Sequence, residues 1–184
     1  ILNFGCILIA MKYFASLAFF VFIFWGIPAQ ADIKGRACII NADMISINGI
    51  RYDTKCKDGT NVRLHGIDAP ELDQVCRNAE GAIFKCGLYA AAFLLEYIAD
   101  RELDCRGNSQ DMEGNWLLRC YVEGININAY MVSEGWALSY EVLSKRYEPE
   151  EAIAKDHKKG IWDFEFTNPW EWREGKRLEG LAEQ

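Results

Sequence analysis

The chain is expected to fold as an α+β protein: a five-stranded Greek-key β-barrel of the OB type carrying about three helices. Three observations lead there. Short apolar segments separated by Asn-Gly and Asp-Gly pairs fill the first half of the chain after an apolar leader, which is the pattern of strands joined by tight turns. Helical periodicity replaces this pattern further on. One helical segment falls between the third and fourth expected strands and two follow the fifth, an order that suits a small closed sheet with an inserted helix.

Ala37–Ile40 and Met44–Ile47 are the first two expected strands, followed by Asn48-Gly49 as a hairpin turn. Asp58-Gly59 marks a second turn before the strand Asn61–Ile67. Between them Tyr52–Asp58 lengthens the approach and carries Cys56. Cys86–Ala99 has helical spacing, with Leu88, Ala91, Ala92, Leu95 and Ile98 on the expected apolar face. Arg101–Gly107 and Trp116–Val122 form the next hairpin, around the turn Asp111-Met112-Glu113-Gly114. A second helix fits Ile127–Gly135. A third begins with Pro149 and Glu150-Glu151 in its first turn and stops at Gly160 after Lys158-Lys159, charges that complement the helix dipole.

The apolar leader has the form of a secretory signal. Met11-Lys12 is followed by an apolar run from Tyr13 to Ile27 and the small-x-small triplet Ala29-Gln30-Ala31, which predicts cleavage after Ala31. The alternative is a membrane anchor, since Ile1–Ile27 is long enough to span a bilayer. Residues 1–10 are expected to be upstream sequence. The expected organisation is therefore 1–31 leader, 32–166 globular domain and 167–184 a Trp-rich C-terminal tail. The expected location is secreted or periplasmic, with no stable membrane association after cleavage and a monomeric state.

Without the leader the chain has 19 basic and 27 acidic residues, a net charge of −8. Such a balance disfavours nucleic acid as a partner, because phosphate backbones attract basic surfaces, although a local basic patch could overcome it. Removing Cys6 with the leader leaves six cysteines, an even number that implies a disulfide framework in an exported chain. No C-x-x-C pair indicates structural zinc. Six cysteines allow 15 connectivities. Cys105 and Cys120 flank the 111–114 turn symmetrically, as opposed residues of a hairpin do. Closing that loop contributes on the order of 3 kcal/mol in the chain-entropy view. Cys76 and Cys86 bracket a short loop, which leaves Cys38 with Cys56.

The chemistry concentrates in Val62–Glu71, V-R-L-H-G-I-D-A-P-E, where an arginine, an aspartate and a glutamate crowd the end of an apolar strand at a proline-fixed turn. A cation, a hard oxygen ligand and a candidate base brought together this way suit reaction at a phosphate ester. This run resembles the strand-turn signature of the staphylococcal nuclease family, and the similarity extends over roughly Ala37–Trp162. The resemblance implies the same barrel and metal-assisted hydrolysis of DNA or RNA. Asn41-Ala42-Asp43-Met44 occupies the place of the family's D-G-D-T motif. Asp43 and Asp68, with the backbone carbonyl of Ala69, would then hold one calcium ion, a metal that takes several hard oxygens. Glu71 falls at the position of the glutamate that orients or deprotonates the attacking water, and Arg63 at that of an arginine on the scissile phosphate. The alternatives are a Glu71 carboxylate satisfied by backbone amides and an Arg63 ion pair with Asp68 or Glu71.

The family's D-x-Y-G-R turn has become Asp111-Met112-Glu113-Gly114-Asn115. Asn115 therefore stands where the resemblance implies a second catalytic arginine, and replacing such a cation by a neutral amide commonly costs on the order of 10²–10⁵ in rate. Arg119 lies four residues further along the strand, about 13 Å away, and is expected on the barrel surface rather than in rescue of the site. Tyr140 lies near a nucleotide-stacking position of the family, with core packing as the alternative. His65, two residues after Arg63, is either an acid or ligand on the face of Arg63 or a structural residue, and His157 is expected in solvent. Pro169-Trp170-Glu171-Trp172-Arg173 resembles the tail of exported, cysteine-containing members and is expected to pin the terminus. Two readings follow: a weakened calcium-dependent nuclease, or a catalytically inactive nuclease fold kept as a binding or structural module. Polysaccharide chemistry by the carboxylates is a third that no spacing singles out.

Overall fold

The structure, a computed structural model, describes residues 31–181. The expected signal peptide and the alternative anchor fall within or across 1–30, outside the described residues. A mixed sheet dominates, curled into a half-barrel. It runs in the order β1 (Ala31–Gly35), β10 (Leu103–Gln110), β11 (Trp116–Val122), β6 (Thr60–Leu64), β3 (Met44–Ile47) and β2 (Ala37–Ile39), with β12 (Ile125–Asn126) added to β11. All its pairings are antiparallel except β6 with β11, which is parallel. The five expected strands form its centre, and β1 and β12 extend it.

Smaller ribbons complete the β structure: β4 (Ile50–Tyr52) with β5 (Lys55–Lys57), β7 (Ile67–Asp68) with β13 (Leu138–Ser139), and β8 (Cys76–Arg77) with β9 (Ile83–Phe84). The helices are α1 (Cys86–Ile98), α2 (Ile127–Ser133), α3 (Glu148–Asp156) and α4 (Pro169–Arg173), with a 3₁₀ turn at Gly160–Asp163. None of the described helices is long and apolar enough to cross a membrane.

Strand alternation places the core. Along β11, Leu118, Cys120 and Val122 are buried while Leu117, Arg119 and Tyr121 are only partly so. The buried set meets Ile45, Ile47, Val62 and Leu64 from β3 and β6, Leu94 and Ile98 from α1, and Ile127 and Met131 from α2. α2 starts where the Asn126 side chain accepts hydrogen bonds from the amides of Asn128 and Ala129, a side-chain cap on otherwise orphaned donors.

Two expectations are corrected. The buried face of α1 is Gly87, Ala90, Leu94 and Ile98, whereas Leu88 and Leu95 are 48% and 53% exposed. The helix is apolar on more than one side, so periodicity alone allows either stripe. Gly87 decides between them: a Cβ there would meet the Glu71 carbonyl oxygen at 1.7 Å, so this face must lie against the loop after β7. Asn48-Gly49 is not the turn of a hairpin built on β3, since β3 pairs with β2 and β6 and Ile47 pairs with Thr60. Asn48 adopts positive φ and sends the chain into the β4–β5 ribbon. The Tyr52–Asp58 segment thus belongs to an exposed excursion, tethered by Cys56.

The cysteines pair as Cys38–Cys56, Cys76–Cys86 and Cys105–Cys120, with Cα separations of 5.8, 5.5 and 4.0 Å. Cys105 and Cys120 are directly opposed on β10 and β11. Three such bonds fit an extracellular or periplasmic protein.

Candidate active site

Separate segments bring the charged residues together beside β3 and β6. Arg63 on β6 pairs in register with Met44 of β3. Asp43, just before β3, is therefore carried to the Arg63 side chain, and its carbonyl accepts from the Leu64 amide at 2.8 Å. Gly66 at positive φ turns the chain after β6 into β7, which ends on Asp68. The following loop is fixed at both ends. The Gln74 side chain accepts from the Glu71 amide at 3.3 Å, and Cys76 is bonded to Cys86 at the start of α1.

Arg63 lies between two carboxylates, with Nη1 donating to Asp43 Oδ2 and Nε to Asp111 Oδ2, both at 3.5 Å. Asp43 and Asp68 are each 2% exposed. Burial, together with the negative charges of Asp68 and Glu71, pushes the Asp43 carboxyl up to about 7 against the opposing pull of Arg63 and Arg173. Ala69 follows Asp68 into the core and is also buried.

Arg173, at the end of α4, is the residue that the sequence reading missed. Its Nη1 and Nη2 donate to both Asp68 oxygens, at 2.9 and 2.7 Å, and Nη1 also donates to Glu71 Oε1 at 2.8 Å. This bidentate fork on one carboxylate with a second alongside is the strong form of ion pair. Hydrogen bonds from Arg173 to Asp68 and Glu71 hold the guanidinium firmly protonated. The tail reaches this place because Gln74, fully buried, donates to the Thr167 carbonyl at 2.6 Å while its oxygen holds Glu71. Arg77 and Glu165 add a β-bridge and a 2.9 Å ion pair, and Trp172 is buried. Pro169-Trp170-Glu171-Trp172 was legible as an anchor, but nothing in its spacing told which side chain it presents to the site.

In the β10–β11 hairpin, Asn115 closes the turn on itself. Its amide nitrogen donates to Asp111 Oδ1 at 2.9 Å, and its side-chain Nδ2 donates to Asp111 Oδ2 at 2.9 Å and Glu113 Oε2 at 3.3 Å. Burial acts against the Asp111 charge, but the Asn115 and Glu113 hydrogen bonds and the Arg63 charge hold its carboxyl below the usual range. The turn therefore offers the site carboxylates on one neutral amide, without a cation of its own.

The remaining candidates lie elsewhere. Tyr140 packs its ring 5.7 Å from that of Trp170 in the tail. His65 and Arg119 line a pocket that Asn115 does not share. His157 is exposed, its Nδ1 2.9 Å from the Ile153 carbonyl.

Among the described residues no group of three or more His, Cys, Asp or Glu side chains is placed to hold a metal. Asp43 and Asp68 nonetheless bring two buried carboxylates of hard oxygens close enough to repel each other, the Asp43 carboxyl being raised first by burial and then by the Asp68 charge. A divalent cation of the hard, oxygen-seeking class fits that need.

Comparison with known proteins identifies the family of the domain. The family described as "Staphylococcal nuclease homologue" matches residues 61–164. The chain is 30% identical over 179 residues to a protein named micrococcal nuclease of Shigella flexneri, covering 91% of this chain and 96% of that one. It is 27% identical over 175 residues to a protein of Escherichia coli O157:H7 described as an uncharacterized endonuclease, covering 90% and 100%. It is also 31% identical over 137 residues to the succinoglycan biosynthesis protein ExoI of Rhizobium meliloti (strain 1021), covering 73% of this chain and 66% of that protein. The chain belongs to the staphylococcal nuclease family, and its half-barrel carries that family's nuclease-like domain.

Proposed function

We propose that this protein is an exported, monomeric phosphodiesterase that hydrolyses DNA or RNA with the aid of one calcium ion, through a site weakened at Asn115. The observation that supports it best is the convergence of Asp43, Arg63, Asp68 and Glu71, from separate segments, onto one partly open edge. Asp43, Asp68 and the Ala69 carbonyl would hold the ion. Once bound, it would neutralise phosphate charge and polarise the attacking water.

The protein's own groups have separable tasks. Arg63, half-buried at the mouth, offers a planar fork to a phosphate once that anion competes with Asp43 and Asp111. Glu71 is the accessible carboxylate of the set, at 26% side-chain exposure against 3% for Asp68. It is thus the one able to hold a water and take its proton. Arg173 supplies positive charge from the tail at the edge where the hairpin supplies none. Export is supported by the three disulfides and by the expected leader.

A second reading, a non-catalytic binding or structural module, is favoured by one specific feature. Arg173 engages both Asp68 oxygens and Glu71, so the carboxylates have an internal counter-ion as well as the neutral Asn115 beside them. The deciding assay uses Asp32–Gln184 with its disulfides intact, measuring cleavage of DNA and RNA with calcium and with chelator, alongside Asn115→Arg. Calcium-dependent cleavage by the unmodified protein is expected and excludes the module. Absence of cleavage by both forms overturns the hydrolytic reading.

A further inference from the structure

A second charged surface lies on the outer face of the same sheet. A cavity of about 220 Å³ is lined by His65, Arg106, Asn108, Arg119, Ser144 and Arg146, with no Asp or Glu in its wall. Arg106 is already committed to the Asp104 carboxylate. Among the described residues Arg119 and Arg146 take part in no ion pair. Arg119 and Arg146 thus bring two guanidiniums without an ion pair to one concavity.

The concavity is built by the fold. The β10–β11 register shifts between Arg106 and Ser109, a bulge of the kind that bends a strand and re-aims its side chains. Gly107 in that bulge lies so close to β11 that a Cβ would meet the Leu117 carbonyl oxygen and Leu118 Cδ2, both at 2.8 Å. The fields of Arg119 and Arg146 converge on His65, where burial first and then these two charges push the imidazole below its ordinary value. The volume is below the ~300–1,000 Å³ of small-molecule sites, so it suits a single phosphate group better than a nucleobase.

Position ties the cavity to the carboxylate site. Leu117, which lines it, pairs in register with Arg63. His65 follows Arg63 by two residues, about 6.6 Å along an extended strand. We propose that this pocket is a second phosphate station for a polynucleotide strand, in which Arg119 and Arg146 grip a phosphodiester neighbouring the one that Arg63 contacts. The assignment rests on the proposed nucleic-acid substrate, and it supplies the local basic surface that the net charge of the protein does not.

The test separates binding from turnover. The oxidised protein, in chelator, is titrated with a labelled single-stranded oligonucleotide by fluorescence anisotropy, and in parallel with inorganic phosphate while the His65 ring is followed by NMR. The Arg119→Gln/Arg146→Gln double variant is expected to raise the oligonucleotide Kd at least tenfold and to lower the salt-dependence slope by about 0.7, the share of one phosphate contact on a single strand. Lys55→Ala, on the exposed β4–β5 ribbon, is the control and is expected to change neither quantity. An oligonucleotide affinity unchanged in the double variant overturns the proposal. So does a His65 response to inorganic phosphate without any such loss, which would make the pocket a free-anion site. Because no cleavage is measured, failure here leaves the hydrolytic reading standing, and an inactive but strand-binding protein would sustain the pocket alone.

Discussion

The carboxylate edge and the arginine pocket border the same β6–β11 pair, yet they balance charge in opposite ways. At the edge every acid faces a cation: Asp43 and Asp111 face Arg63, and Asp68 and Glu71 face Arg173. In the pocket Arg119 and Arg146 face each other's field and a neutral histidine. A folded chain tolerates the first arrangement without any ligand, because its buried charges are paired. The second is tolerable because it is open to water, and it gains most from an anion that arrives from outside. The difference separates a site that must be opened by its ligand from one that awaits it.

The strongest way to break this comparison is to remove a charge from each side. Asp68→Ala is expected to abolish calcium-dependent cleavage and to cost about 2 kcal/mol in urea unfolding. That is below the ~3–5 kcal/mol of a fully buried pair, because the Arg173 side chain is 40% exposed. Arg119→Ala should lie within about 0.5 kcal/mol of the parent, or slightly above it, since it relieves like-charge repulsion. Equal losses from the two variants would mean that the pocket charges are internally paired after all.

Restoring a cation to the hairpin is the next largest effect. Asn115→Arg is expected to raise calcium-dependent cleavage roughly tenfold, less than the ~10²–10⁵ that one such cation supplies, because Asp111 and Glu113 compete for it. An unchanged rate would show that Arg173 already fills that role. Arg173→Ala should lower stability by about 1 kcal/mol in chelator, the ~1.5–3 kcal/mol of a charged hydrogen bond discounted because the Arg173 side chain is 40% exposed. The deficit should shrink when calcium is added, because the ion neutralises the same carboxylates. A deficit independent of calcium would make the tail contact purely structural.

The last prediction concerns pH. The Asp43 carboxyl titrates at about 7 in the folded chain against 3.8 in the unfolded one. Between these values the folded state binds the extra proton, so stability falls as pH rises from about 4 to about 7 and then levels. In chelator the Tm should follow that slope, and Asp43→Asn should flatten it. An identical slope in the variant would move the titration to another group.

Much of the sheet could be read from the chain because alternation of period two survives in β6 and β11. The apolar face of α1 could not, since both stripes of that helix are apolar and only contact between Gly87 and the Glu71 carbonyl selects one. Arg63, Asp68 and Glu71 were legible because turn chemistry and spacing single them out, and Asp43 because Asn41-Ala42-Asp43-Met44 resembles the family's motif. Arg173 was not, because it stands 105 residues from Asp68 and reaches it through the Gln74–Thr167 contact. Nor was the pocket, whose arginines and histidine come from separate elements around a bulge.

The sequence by itself determined the family, the barrel-like sheet and the place of the carboxylates, since each depends on local pattern and short spacing. Only the tertiary structure decided which charges face which. Coulomb interaction and desolvation depend on distance and burial, and both are set by packing partners far apart along the chain.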